Sequence, residues 1–167
     1  MGYYRRRYGE RLQKLVIDAG FTCPNRDGTV GRGGCTYCDN SAFHPGYSTA
    51  GKSLLRQIDE GIGFHRKRYR GANHYLAYFQ SFSNTYAPIE RLRSLYLEAL
   101  SHPGVAGIVI GTRPDCVDDG KLDESIQTVR YHNGSCSVLW RKRRPIPENN
   151  DFFEVTWKNY RETGNID

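Results

Sequence analysis

The chain has 167 residues, 38% of them hydrophobic, and a formal net charge of +6. This length suits one domain with a buried core, and no apolar run approaches the ~18 residues that span a bilayer. An odd number of cysteines, three of them in a metal-like spacing, argues against disulfides. We therefore expect free thiols in a reducing cytoplasm, without an export signal or a membrane contact.

The first predicted strand is short and leads into a glycine-rich loop. Residues 15–17 form an apolar run, LVI, and the loop FTCPNRDGTVGRGGCTYC follows at residues 21–38. This loop holds Cys23, Cys35 and Cys38 in the spacing C-x11-C-x2-C. A two-residue gap lets the last two sulfurs turn toward one metal centre, and the glycines between allow the first to join them. Three thiolates without an obvious fourth ligand indicate a metal centre with one open coordination position.

Helices and strands alternate after the loop. Residues 53–69 have an apolar stripe at helical spacing, and residues 75–79 and 105–110 are continuous apolar runs, typical of strands covered on both faces. A second helix begins near Pro88 and is stopped by the HPG at 102–104. Strand, helix, strand, helix, strand predicts parallel pairing through right-handed crossovers.

A polar stretch follows each of the three predicted strands. These stretches are the cysteine loop, QSFSNT at residues 80–85 and GTRPD at residues 111–115. In parallel α/β folds, ligands bind at the carboxyl ends of the strands. We therefore expect the three stretches to converge on one rim of the sheet and to form a site there.

The same stretches carry a resemblance to a known family. The cysteine loop, YFQSFSNTYAP at residues 78–88 and GTRPDC at residues 111–116 resemble the radical S-adenosylmethionine (SAM) superfamily. They are most similar to its YhcC/YtqA-type branch, which is related to the Elongator catalytic subunit and shows this long cysteine spacing. The resemblance implies a partial (β/α) barrel of parallel strands, truncated after about three β/α units. It assigns residues 1–119 to the N-terminal part of a radical SAM domain and residues 120–167 to a divergent or frame-shifted tail.

The resemblance also implies the cofactors. Cys23, Cys35 and Cys38 would hold a [4Fe–4S] cluster whose unligated iron binds SAM, and an electron from a donor such as flavodoxin or ferredoxin would yield a 5′-deoxyadenosyl radical. The other implied cofactor-binding positions are Tyr37 against the adenine, Gln80, Ser81 and Asn84 near the SAM amino group, and Thr112 and Arg113 toward its carboxylate or the substrate. Structural alternatives are that Tyr37 packs under the loop, that Gln80 and Asn84 form turns and that Arg113 is an ion-pair partner. No catalytic base is predicted.

The last part of the chain departs from the family pattern. Residues 121–129 indicate a third helix, but the later barrel strands and a ribose-contacting segment have no recognisable counterpart. We therefore expect a radical SAM protein whose cluster assembles but whose SAM cleavage is impaired.

Two other functions fit the same residues. One is a zinc-binding module in which His44 completes a closed Cys3His set and a basic surface touches RNA. Residues 1–70 hold 13 Lys and Arg against 6 Asp and Glu, including HRKRYR at residues 65–70, although a solvated helix C-terminus that prefers cations also explains this run. The other is an inactive fragment whose exposed barrel edges aggregate or need a partner.

Overall fold

The computed structural model describes residues 12–36, 38–39, 44–68, 72–118 and 121, with only the backbone at residues 114, 128–132 and 135–141. Its elements are, in chain order, β1 (Gln13–Ile17), α1 (Pro24–Asp27), α2 (Leu54–Arg68), β2 (Tyr75–Phe79), α3 (Ile89–Ser101), β3 (Val105–Thr112), a 3-10 turn (Pro114–Cys116), β4 (Thr128–His132) and β5 (Ser135–Arg141). The predicted alternation of strands and helices through β3 is confirmed. None of the described helices is long and apolar enough to cross a membrane.

The described strands form one sheet in the order β1-β2-β3-β5-β4. β2 pairs in parallel with both β1 and β3, so the predicted parallel arrangement of the first three strands is confirmed. β5 pairs antiparallel with both β3 and β4. Within these strands the sheet stays open, with β1 and β4 at its edges, and is not closed into a barrel.

Both long helices pack on one face of the parallel strands. Their apolar stripes join a single core with the alternate strand residues that point the same way, because successive side chains of a strand face opposite sides of the sheet. The strand residues in this core are Leu15, Ile17, Tyr75, Ala77, Phe79, Val105, Ile108 and Ile110. The opposite face has a smaller cluster of Leu12, Leu76 and Val109.

A buried glutamine fixes the end of β1 to α2. Gln57 is 1% exposed and donates from Nε2 to the Asp18 carbonyl at 2.8 Å, while its Oε1 accepts from the Asp18 amide at 2.9 Å. The backbone of the residue that follows β1 is thus held in place by a helix side chain.

The prediction of a helix over residues 121–129 is wrong at its end, because residues 128 and 129 lie in β4. The sequence signal for a hairpin was Asn133-Gly134, a pair that favours a tight turn between two runs rich in β-branched and aromatic residues. Pairing with β5 also extends β3 two residues beyond its predicted end, since Gly111 and Thr112 stand opposite residues 137 and 136.

Candidate metal centre

The cysteine loop begins with a turn of helix at the carboxyl end of β1. Cys23 is the N-cap of α1, with an extended backbone, and its carbonyl accepts from the amides of Arg26 and Asp27 at 2.8 and 3.2 Å. Pro24 suits the first helical turn, and Gly28 ends the helix at a φ of 96°. The half-buried Cys23 thiol is therefore set at the start of a short, locally determined helix.

The chain then folds back on α1. The amide of Gly34 donates to the Asn25 carbonyl at 2.9 Å, and Gly34 has a φ of 90°, which favours glycine. A Cβ at Gly34 would also lie 2.9 Å from Nε of Arg26. This return brings Cys35 beside α1, where its Sγ accepts from Nδ2 of Asn25 at 3.0 Å.

Cys35 and Cys38 share one turn. The amide of Cys38 donates to the Cys35 carbonyl at 3.0 Å, and both cysteines are half-buried and outside any disulfide, as is Cys23. Among the described residues, no group of three His, Cys, Asp or Glu is arranged to hold one metal ion. Tyr37, predicted to lie against the adenine, is outside the described residues.

Arg113 connects the end of β3 to the cysteine loop. Its Nε and Nη2 donate to the Asp115 carboxylate at 2.8 and 2.6 Å, and its Nη1 lies 3.9 Å from Sγ of Cys23. The hydrogen bonds from Arg113 hold the pKa of Asp115 below its usual value, and the same pair raises the pKa of Arg113. Arg113 therefore forms an ion pair with Asp115, which was the structural alternative to its predicted ligand contact. It also donates to the sulfur of Cys23.

Asn84 ties together the carboxyl ends of β2 and β3. It is fully buried, and its Nδ2 donates to the carbonyls of Phe79 at 3.1 Å and Gly111 at 2.7 Å. Carbonyl oxygens can only accept, so these contacts fix the orientation of the amide. Its Oδ1 has no hydrogen-bond partner among the described residues. Asn84 therefore stabilises the turn and presents a buried, unpaired acceptor.

The hydroxyl of Thr112 is hydrogen-bonded to the hydroxyl of Thr85. Thr85 donates its only hydroxyl proton to the Cys116 carbonyl at 2.8 Å, so at the 2.5 Å contact between the two threonines Thr112 is the donor. This arrangement leaves Thr112 with lone pairs and no proton for a carboxylate, and its side chain is 5% exposed. Thr112 does not suit the predicted contact with a carboxylate.

Sequence reasoning missed a network of polar side chains at the carboxyl ends of β1 and β2. Ser81, which is 1% exposed, lies 2.5 Å from Nε2 of His44, whose Nδ1 is 3.2 Å from the Ser48 carbonyl and 3.8 Å from the Asp18 carboxylate. Since the carbonyl can only accept, Nδ1 donates to it, and Nε2 pairs with the Ser81 hydroxyl. The available signal was Asp18, the first residue after a predicted strand. Gln80, next to Ser81, is half-buried.

Comparison with curated proteins relates this chain to longer relatives. Protein YhcC of Escherichia coli (strain K12) is 43% identical over 122 residues, which are 73% of this chain and 38% of that protein. Protein YtqA of Bacillus subtilis (strain 168) is 38% identical over 121 residues (72% and 37%), and protein MJ0486 of Methanocaldococcus jannaschii is 32% identical over 123 residues (72% and 36%). These three proteins are homologues of this chain. No family model and no solved structure matches it.

The predicted relationship to YhcC and YtqA is therefore confirmed as homology. The chain spans less than two fifths of the length of each of these YhcC-like relatives. YtqA and MJ0486 are both named as uncharacterized proteins.

The side chains present suit a group ligated by thiolates. Three half-buried cysteines outside any disulfide lie in one loop, and the sulfurs of Cys23 and Cys35 each face an N–H donor. N–H donors stabilise negative charge on sulfur. His44 instead has both ring nitrogens in contact with Ser81 and Ser48 rather than turned toward a cysteine. The donor set therefore favours three sulfur ligands over three sulfurs and an imidazole.

Proposed function

We propose that this chain is a radical SAM protein that holds a [4Fe–4S] cluster through Cys23, Cys35 and Cys38 and binds SAM at the open iron. The observation that carries the proposal is the set of three half-buried cysteines, none in a disulfide, in one folded-back loop at the carboxyl end of β1, with the sulfurs of two of them facing N–H donors. Three thiolates leave one iron of such a cluster without a protein ligand. That open position is where a substrate or a second cofactor binds.

The buried Oδ1 of Asn84 supports an ammonium ligand at the same rim. An unpaired buried acceptor costs about 1–3 kcal/mol, and a bound ammonium group would remove that cost by donating to it. The amino group of SAM is such a donor. In this proposal Asn84 receives the amino group with Gln80 beside it, while Ser81 is held by His44 and Arg113 by Asp115.

When bound and reduced, the cluster supplies the electron that cleaves SAM into methionine and a 5′-deoxyadenosyl radical. The chain's own residues fix the sulfurs, present an acceptor for the amino group and hold the two strand ends together. A low-potential protein such as flavodoxin or ferredoxin is the proposed electron donor. A zinc site with His44 as fourth ligand is the less favoured alternative, since His44 would first have to leave Ser81 and Ser48.

RNA is a proposed partner at the carboxyl end of α2. The last turn of this helix carries four basic residues, from His65 to Arg68, and Phe64 beside them is 45% exposed. Basic side chains bind phosphates, and exposed aromatic rings stack with bases. Affinity for a labelled single-stranded RNA should fall with rising salt and fall again in Lys67→Glu. Affinity that responds to neither change would contradict the proposal.

Electron paramagnetic resonance tests the proposed cofactor pair directly. The protein is reconstituted anaerobically with iron and sulfide, reduced with dithionite and measured with and without SAM. We expect a reduced-cluster signal whose shape changes when SAM is added, because SAM binds an iron of the cluster. A cluster signal that SAM leaves unchanged would contradict SAM binding. Protein that assembles no cluster here but binds zinc in a parallel sample supplied with zinc would support the alternative.

A further inference from the structure

Two side chains from different parts of the fold face the sulfurs of the cysteine loop. Asn25 comes from α1 and Arg113 follows β3. Nδ2 of Asn25 lies 3.0 Å from Sγ of Cys35, and Nη1 of Arg113 lies 3.9 Å from Sγ of Cys23. Two of the three candidate ligands therefore each have their own donor, one neutral and one charged.

Both donors are anchored by a second contact. Asp115 accepts from Nε and Nη2 of Arg113, which orients the guanidinium and leaves Nη1 for the sulfur. For Asn25 the contact holds the backbone from which its side chain extends, because its carbonyl accepts from the Gly34 amide at 2.9 Å. A donor that is already oriented loses little conformational freedom when it bonds to a sulfur. These contacts therefore belong to a preorganised shell around the thiols.

We propose that Asn25 and Arg113 are positioning residues that raise the reduction potential of the bound cluster by donating to its ligating sulfurs. The inference rests on the proposed function. One-electron reduction by dithionite adds one negative charge to the cluster and its thiolates. N–H donors stabilise that charge, so they favour the reduced form, and hydrogen bonds to the sulfurs are known to set the potentials of such clusters. The Arg113 donor carries a full positive charge and should contribute more at equal distance.

The test is a redox titration of reconstituted protein without SAM, followed by paramagnetic resonance. Asn25→Ala and Arg113→Ala should each shift the midpoint potential to more negative values, and the double variant should add the two shifts, because the donors face different sulfurs. Arg113→Lys, which keeps the charge, should recover part of the shift. Arg32→Gln removes one charge from an exposed position in the same loop and should leave the potential unchanged.

Each outcome decides something different. Wild-type protein that assembles no iron–sulfur cluster would refute the proposed function and this inference with it. A wild-type cluster whose potential is the same in Asn25→Ala and Arg113→Ala would refute the inference alone. Thermal unfolding of each variant without metal checks that the fold is retained. If an alanine variant does not fold, Asn25→Asp, which removes the N–H donor, and Arg113→Gln, which removes the charge, provide the comparison, and unchanged potentials in both would equally refute the inference.

Discussion

Replacing Asn84 by alanine should destabilise the protein by about 2–4 kcal/mol. The side chain is fully buried and donates two hydrogen bonds, to the carbonyls of Phe79 and Gly111. The Gly111 carbonyl also accepts from the backbone amide of Asn84 at 3.2 Å, so its loss is about 1 kcal/mol. The Phe79 carbonyl loses a donor inside the core, for about 1–3 kcal/mol. Removing Oδ1 relieves the cost of about 1–3 kcal/mol of its unpaired burial, and the cavity that the side chain leaves costs a similar amount.

Urea unfolding of wild type and Asn84→Ala measures this difference. In a chain of this size the loss corresponds to a fall in melting temperature of roughly 5–12 °C. Ser94→Ala, at an exposed position on α3, is the control and should change the stability by no more than about 0.5 kcal/mol. A loss in Asn84→Ala no larger than that of the control would refute the assignment of Asn84 as the link between the two strand ends.

Three further predictions concern α2, the ion pair near β3 and the reaction. Gly61→Ala should lower stability by roughly 1 kcal/mol in thermal unfolding, because its Cβ would lie 2.9 Å from the Tyr47 ring, whereas Gly63→Ala, in open space on the same helix, should raise it by about as much. Arg113 lowers the pKa of Asp115, so the ionised carboxylate stabilises the fold at pH values above its ordinary pKa of 3.8. This stabilisation is lost as the pH falls and the carboxylate is protonated. The stability of Asp115→Asn, which is lower than that of wild type at neutral pH, should therefore approach it in acid. Cleavage of SAM, measured as 5′-deoxyadenosine, should be slow, because the described sheet is open and positioning supplies ~7–11 kcal/mol of such a barrier; fast multiple turnovers would contradict this.

The parts of the fold that depend on local periodicity could be predicted from the sequence. The helix predicted over residues 53–69 is observed as Leu54–Arg68, and the strand predicted over residues 75–79 has those bounds. Continuous apolar runs and a helical stripe carry that information without knowledge of the tertiary structure. The antiparallel hairpin was missed although Asn133-Gly134 indicated it, because its residues were assigned to a helix and to a divergent or frame-shifted tail.

The candidate site was predictable in position but not in its contacts. The order of the elements places three polar stretches at the carboxyl ends of parallel strands, and the structure confirms that order. The pairing of His44 with Ser81 joins residues 37 positions apart, and that of Arg113 with Cys23 joins residues 90 positions apart. Such contacts depend on the direction of each side chain after packing, which spacing along the chain does not encode.

The central claim is that three cysteines of one loop hold an iron–sulfur cluster, and iron and sulfide analysis of reconstituted cysteine variants tests it most directly. Wild type should bind about four irons and four sulfides per chain. Cys35→Ala should abolish that binding, as should Cys23→Ala and Cys38→Ala, while Cys136→Ala should retain it. Binding that needs Cys136 and survives the loss of Cys23 would contradict the assignment of the ligands.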